Sequence, residues 1–252
     1  LNSIKNLKVV SGILQQSNSG DKTEQKKEIS LKEKLGEFIY DIEYISDKDN
    51  IYAIIDKYLA KSNQIKNSPI IKLNELFKVS EKNNINCSEF NDYKNVKLLW
   101  LGIDISNFVN IFKNGISLPP PEAPVFSYMF GKGIYFSDVA IKSFYNSHPQ
   151  NNIGLMLLCE VDLGNIEERL KADIKLPQTL MEGKNSVKVI GMNYPDEKDS
   201  YFDNNGVEIP IGDIIINKDE DKKTYFGFNE YIVYNLDQIK IRYITKVQFD
   251  KS

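Results

Sequence analysis

The chain has 252 residues, of which 41% are hydrophobic, so it can form one large domain or one domain with a smaller appendage. Its formal net charge of −3 excludes a strong attraction of the whole chain to nucleic acid, while a local basic patch stays compatible with it. No apolar run approaches the roughly 18 to 20 residues that span a bilayer, and the start has no signal-peptide layout, so we expect an intracellular protein without a membrane segment.

The first thirty residues divide into a helical and a polar part. The spacing of apolar residues predicts an amphipathic helix over residues 2–15, with one face formed by Ile4, Leu7, Val10 and Leu14. Residues 17–22 read as a polar linker. This helix either packs on its own domain or is the last remnant of a regulatory helical bundle. We therefore place an appendage at residues 1–29 and the main domain at residues 30–252.

From residue 30 onward, helical patterns give way to extended ones. Ser30 and Glu33 have the spacing of a capping box, and residues 49–59 carry the apolar period of a helix. Strands are predicted at residues 69–79, 154–161, 231–234 and 239–244, and a helix follows Tyr135. These elements indicate an α+β domain built on antiparallel sheets. Cys87 and Cys159 lack metal-ligand spacing, so we expect packed, reduced thiols and no metal.

Three blocks in the second half of the chain carry its most specific pattern. They are residues 98–102 (LLWLG), residues 120–138 (PPEAPVFSYMFGKGIYFSD) continued by Lys142 and Ser143, and residues 229–234 (NEYIVY). They resemble, in the same order and at compatible distances, the poly(ADP-ribose) polymerase catalytic domain, closest to its DNA-dependent branch. The resemblance covers about the last 220 residues. It implies an ADP-ribosyltransferase fold of two packed antiparallel sheets with flanking helices, preceded by the remnant helix.

The resemblance also implies NAD as the substrate and assigns roles to residues. Glu230 matches the catalytic glutamate, which can stabilise the positive charge that develops on the ribose. Tyr135 matches the residue whose ring stacks on the nicotinamide. Gly102 matches the glycine whose backbone groups pair with the carboxamide, and Ser143 matches the hydroxyl that donates to the same carboxamide. Lys142 and Asn107 are assigned to NAD binding as well.

The largest departure from the family pattern is Leu101, which occupies the position of the family's triad histidine. That histidine bonds to the adenosine-side ribose, and a leucine has no polar atom with which to do so. A lost hydrogen bond to a buried ligand hydroxyl costs about 1 to 3 kcal/mol, or roughly 5- to 150-fold in affinity. The only histidine of the chain, His148, is expected on the surface.

Two further departures affect the same substrate. Ser117 replaces an arginine that approaches the phosphate-adenosine portion, so a permanent cation is absent. Asn146 replaces a second tyrosine beside the nicotinamide, and Tyr145, one residue earlier, is rotated by about 100 degrees on a regular helix. The position after Ile103 carries Asp104, a charge that is unfavourable near a diphosphate.

We therefore expect a degenerate transferase, with weak or no activity, that serves as a structural or interaction module in a larger assembly. The alternative is an active mono- or poly-ADP-ribosyltransferase that uses Tyr135 and Glu230. A silent domain that still binds NAD lies between these two. Protein partners are expected, while DNA dependence is not supported. The resemblance favours the nucleus, and a cytoplasmic or cytoskeletal location is equally compatible.

Overall fold

The computed structural model describes residues 36–82, 95–124, 128–149 and 151–250. Helix α1 spans Asn50–Lys61, α2 spans Phe108–Asn114 and α3 spans Ala140–Asn146. The strands are β1 (Tyr40–Ile45), β2 (Ile70–Glu81), β3 (Val96–Ile103), β4 (Ile134–Phe136), β5 (Ile153–Asp162), β6 (Ile166–Arg169), β7 (Ser186–Val189), β8 (Asn193–Pro195), β9 (Tyr201–Phe202), β10 (Glu208–Ile209), β11 (Ile214–Ile216), β12 (Glu230–Val233) and β13 (Ile239–Asp250).

A seven-stranded sheet forms the centre, in the order β1-β2-β13-β5-β3-β10-β9. Its pairs are antiparallel except for β10 with β3. Every residue of β5 after Ile153 is buried, because apolar clusters cover both faces of the sheet. Leu155 and Leu157 join one cluster, while Met156 and Leu158 join the other. This distribution follows from the alternation of side chains along a strand.

Helix α1 supports β3 from one face of the sheet. The Tyr58 hydroxyl donates to the Leu98 carbonyl at 3.1 Å, and the rings of Tyr58 and Trp100 lie 5.0 Å apart. Both aromatic side chains are buried. The strand is therefore held firmly just before Leu101 and Gly102.

A second sheet has the order β4-β12-β7-β6, and β8 pairs with β11 in a small third sheet. The backbone of Trp100 on β3 exchanges hydrogen bonds of 2.9 and 3.0 Å with the backbone of Ser137, just after β4. This bridge joins the two larger sheets. The end of β3 and the second sheet are thus held together by backbone contacts.

The α+β fold of packed sheets with flanking helices is confirmed. The predicted helix at residues 49–59 is α1, and the predicted strands are β2, β5, β12 and β13. The parallel pairs β6 with β7 and β3 with β10, and the small sheet of β8 and β11, were not predicted. Strands of two to four residues are too short to show a period.

Several expectations fall outside the described residues. They are the helix at residues 2–15, the linker at 17–22, the capping box at 30–33 and Cys87. The boundary near residue 29 therefore stays a prediction. Cys159 is buried with a free thiol, and burial raises the pKa of that thiol. In the described part of the chain, no helix is long and apolar enough to cross a membrane.

Candidate active site

Strand register brings Tyr135 and Glu230 to one face of the second sheet. Tyr135 on β4 lies opposite Ile232 on β12, and Glu230 lies two residues before Ile232. Since side chains alternate along a strand, all three point to the same side. Ile232 and the ring of Tyr135 pack in a small apolar cluster there, and Glu230 is buried at the start of β12. Two distant segments of the sequence thereby form one site.

An ion pair joins Glu230 to helix α3. Lys142 Nζ lies 3.0 Å from Glu230 Oε1, with the lysine side chain 30% exposed and that of the glutamate 11% exposed. Helix α3 follows β4 after only three residues, so it carries Lys142 back toward the neighbouring strand β12. The Glu230 side chain is therefore held beside a cation in a nearly enclosed position.

The hydroxyl of Tyr135 is fixed by the loop before its strand. It donates to the Gly131 carbonyl at 2.7 Å and accepts from the Phe130 N–H at 3.0 Å. Burial raises the pKa of Tyr135 far above its ordinary value, and the charge of Glu230 adds to the rise. The hydroxyl thus stays protonated, and the ring presents a fixed apolar wall.

Gly102 and Ser143 pack directly against each other. A Cβ on Gly102 would lie 2.0 Å from the Ser143 carbonyl oxygen, so the packing of α3 on β3 itself requires glycine. The buried Ser143 hydroxyl donates to the Trp100 carbonyl at 3.0 Å. Its proton is therefore used within the protein, and lone pairs are what it offers to a ligand. The carboxamide-binding roles of both residues stay predictions.

Leu101 lies on the other side of β3 and belongs to the core. It is partly buried and packs against the same apolar cluster as Leu99 and Ile103, the neighbours that share its face. In the sheet it pairs with Leu157. A leucine thus continues this core at the position where the family's pattern has a polar ring.

The other two departures lie on the surface. Ser117 is exposed after α2, and Asn146 is exposed in the last turn of α3. The Asn146 Cβ lies 3.0 Å from the Cβ position built on Gly102, so this residue lies directly beside Gly102. Helix α3 is regular through Asn146, and Tyr145 is 52% exposed. The rotation of about 100 degrees between Tyr145 and position 146 therefore holds, and Tyr145 does not take the place of the missing ring.

Asp104 has a structural use of its own. It caps the short 3-10 helix Ile105–Asn107 by accepting from the Ser106 N–H at 2.8 Å and from the Ser106 hydroxyl at 2.7 Å. These bonds lower the pKa of Asp104. The exposed His148 places Nδ1 3.7 Å from Asp104 Oδ2. Asn107 is exposed at the end of the same turn, and none of the side-chain hydrogen bonds in the described residues joins it to Glu230 or Tyr135.

A buried polar group beside the site was missed by sequence reasoning. Asp138 accepts from Asn229 Nδ2 at 2.9 Å and from the Tyr231 hydroxyl at 3.1 Å. Burial raises the pKa of Asp138 to about 6. Both Asp138 and Asn229 lie within the matched blocks, which is the only sequence signal for them. The described residues contain no group of three or more histidine, cysteine, aspartate or glutamate side chains placed to hold a metal ion.

Comparison with known proteins gives a single answer. A family model described as the poly(ADP-ribose) polymerase catalytic domain matches residues 49–249. A poly(ADP-ribose) polymerase of Drosophila melanogaster is 39% identical over 205 residues, which is 80% of this chain and 20% of that protein. Poly(ADP-ribose) polymerase 2 of Homo sapiens is 39% identical over 206 residues, which is 79% of this chain and 34% of that protein. The chain thus spans only a fifth to a third of the length of these relatives.

Proposed function

The chain belongs to the poly(ADP-ribose) polymerase catalytic family, and from this membership we propose an ADP-ribosyltransferase domain that retains the residues that bind one end of its substrate and lacks those that bind the other. It holds the nicotinamide-ribose half of NAD and has lost the anchors for the adenosine half. Transfer of ADP-ribose is therefore weak or absent. The domain then serves chiefly as a structural or interaction module of a larger assembly.

The ion pair of Glu230 with Lys142 beside the Tyr135 ring carries this proposal. In the transfer reaction, the bond between ribose C1′ and the nicotinamide nitrogen breaks, and its electron pair leaves with nicotinamide. The positive charge then lies on the ribose until an acceptor oxygen bonds to C1′ and loses its proton. The fixed Glu230 carboxylate would stabilise that charge, and the Tyr135 ring would pack against the leaving nicotinamide. The described residues fit this half of the substrate.

The residues on the other side fit the adenosine half poorly. Leu101 packs into the core and offers no hydrogen bond. Ser117 brings no cation to the surface where a diphosphate would lie, and Asp104 adds a negative charge nearby. Each lost contact to a charged or buried ligand group costs about 1 to 3 kcal/mol. We therefore expect adenosine and its phosphates to add little affinity.

An active transferase is the second candidate, and one observation favours it. Glu230 is buried and paired with a cation, which is the condition in which it can act on the ribose. If Leu101 is tolerated, Tyr135 and Glu230 would sustain transfer to a protein acceptor. The two candidates differ in one measurable quantity, which is the affinity that the adenosine half adds.

Calorimetry with nicotinamide mononucleotide and NAD tests the proposal. We expect the wild-type chain to bind the two ligands with dissociation constants within about threefold of each other. NAD differs from the mononucleotide by its adenosine half, and each lost contact to that half removes about tenfold in affinity. In Leu101→His we expect tighter binding of NAD and unchanged binding of the mononucleotide. Wild-type NAD binding more than about tenfold tighter than that of the mononucleotide would contradict the proposal.

A biotinylated NAD transfer assay separates the two candidates. We expect little or no labelling by the wild-type chain and more by Leu101→His. Labelling of the wild-type chain at a rate comparable with active relatives, abolished in Glu230→Gln, would establish the active transferase instead. Glu230→Gln keeps the size of the side chain, so folding and the Lys142 neighbourhood can be compared directly.

The surroundings of the domain are also proposals. We propose protein partners within a larger assembly, as the role left to a domain with little or no transfer activity. An intracellular location follows the relatives, with nucleus, cytoplasm or cytoskeleton open. The net charge of −3 gives no support to a dependence on DNA.

A further inference from the structure

Asp138 is a buried carboxylate that lies between the two elements of the site. It follows β4, which carries Tyr135, and precedes α3, which carries Lys142. The residue is 4% exposed. Only its Oδ2 atom accepts hydrogen bonds, and Oδ1 has no partner among the described residues. Burying a carboxylate with one oxygen that accepts no hydrogen bond costs free energy, which indicates that Asp138 has a role other than packing.

Both chain neighbours of Glu230 are bound to this one carboxylate. Asn229 donates from Nδ2 at 2.9 Å, and Tyr231 donates from its hydroxyl at 3.1 Å. Asn229 is fixed further, since its Oδ1 accepts from the Gly191 N–H at 2.9 Å. Its backbone carbonyl accepts from the Ser137 hydroxyl at 3.1 Å. The start of β12 is therefore held on both sides of Glu230.

This arrangement determines the direction of the Glu230 side chain. Successive side chains of a strand point to opposite faces, so anchoring residues 229 and 231 on one side turns residue 230 to the other. There Glu230 meets Lys142 at 3.0 Å. Asp138 itself lies four residues before Lys142 in the chain. Asp138 thus fixes both the strand that carries Glu230 and the turn that leads to Lys142.

We propose that Asp138 is a positioning residue, which holds the Glu230 carboxylate against Lys142 and toward the ribose of the substrate. Asp138 touches no substrate and acts only through Asn229, Tyr231 and the turn before α3. The proposal rests on the ribose-binding role of Glu230 in the proposed function. It adds to that role the group by which the fold fixes the catalytic glutamate.

Calorimetry on the full chain tests the proposal with nicotinamide riboside, which has the ribose, and with nicotinamide, which lacks it. We expect Asp138→Ala to weaken riboside binding by roughly 3- to 30-fold, which lies within the range found for coupled neighbours in double-mutant cycles. Binding of nicotinamide alone should change by less than about twofold. In a Glu230→Gln background, Asp138→Ala should have no further effect on the riboside.

Asp138→Asn is the matched variant, because its amide oxygen can still accept from Asn229 and Tyr231. We expect it to bind the riboside like the wild-type chain. Equal weakening by Asp138→Ala with and without Glu230 would overturn the proposal, since the effect would then be a general loss of packing. If Asp138→Ala does not fold, Tyr231→Phe removes one of the two bonds alone and should weaken the riboside in the same Glu230-dependent way.

A second measurement needs no ligand and separates the two proposals. The 13C resonance of the Glu230 carboxyl, assigned by its loss in Glu230→Gln, reports the contact with Lys142. It should shift in Asp138→Ala and Lys142→Met in the same direction, and stay in place in Asp138→Asn. An unmoved resonance in Asp138→Ala would overturn the positioning role. Failure of the wild-type chain to bind the riboside, with the resonance shifting as expected, would contradict only the proposed function.

Discussion

The two halves of the candidate site, one around Glu230 and one around Leu101, are built in different ways. On the Glu230 side, the polar side chains have partners within the protein: Glu230 has Lys142, Tyr135 has the loop before it, and Ser143 has the Trp100 carbonyl. On the Leu101 side, the side chain packs into the core, and Ser117 faces solvent. The first half is held by the fold itself.

The junction of the two halves should be the most sensitive point. We expect Gly102→Ala to lower the free energy of unfolding by about 3 kcal/mol, because the added Cβ meets the backbone oxygen of Ser143 at 2.0 Å. Chemical denaturation measures this loss. Gly227→Ala is the control, since a Cβ there has no atom within 4 Å, and we expect a change below about 0.5 kcal/mol. Equal losses of unfolding free energy in the two variants would show that the packing of α3 on β3 does not require glycine at position 102.

The buried anion of the Glu230 side should make stability depend on pH. The pKa of Asp138 is raised from 3.8 to about 6 in the folded chain, so its protonated form is favoured by folding. The contribution is fully present below pH 3.8 and is lost as the pH rises through about 6. This rise in the pKa of Asp138 corresponds to about 3 kcal/mol in the free energy of unfolding.

Asp138→Asn isolates this effect because it removes the titration and keeps the acceptor. The variant should be the more stable form at pH 8, and its advantage should shrink as the pH falls to 4. Urea denaturation of both proteins across this range gives the difference, from which the other carboxylates cancel. Parallel curves would mean that the charge on Asp138 does not lower the stability of the folded chain.

Sequence patterns predicted most of the long elements because these carry a clear period. Helix α1 buries a helical set of apolar residues and β2 a largely alternating one, while β5 is a continuous apolar run that is buried on both faces. The motifs indicated Tyr135, Lys142 and Glu230, which the strand register does bring together. The short strands and the parallel pairs depend on tertiary contacts, which leave no local pattern.

The reasons behind individual site residues were harder to predict. Gly102 was assigned to the ligand, yet the nearest obstacle to a side chain is Ser143 of the same protein. Asp104 was interpreted as a repulsive charge, and the structure uses it as a cap. Asp138 had no assigned role at all. Each of these roles depends on residues that are distant in sequence or on the conformation of a turn, neither of which the composition of a segment records.

Removing the cation that pairs with Glu230 should lower the free energy of unfolding by a moderate amount. Lys142→Met keeps the length of the side chain and leaves the buried Glu230 carboxylate without its ion pair. We expect a loss of about 1 to 2 kcal/mol in unfolding free energy, below the full cost of a broken buried pair because Lys142 is partly exposed. The double variant Lys142→Met with Glu230→Gln should recover most of this loss. Thermal and urea unfolding check both, and no recovery would show that Lys142 acts by packing alone.

The smallest effect is expected on the Leu101 side, where Asp104 only caps a single turn. Asp104→Ala removes the bonds to the Ser106 N–H and hydroxyl, and we expect a loss of about 0.5 kcal/mol. Since those bonds lower the pKa of Asp104, its contribution is present above pH 3.8 and is lost as the pH falls below that value. Asp104→Ser keeps an acceptor and should retain most of the stability at neutral pH. If Asp104→Ala also tightened NAD relative to nicotinamide mononucleotide, the negative charge would be repelling the diphosphate, and capping would then have been retained at the expense of substrate affinity.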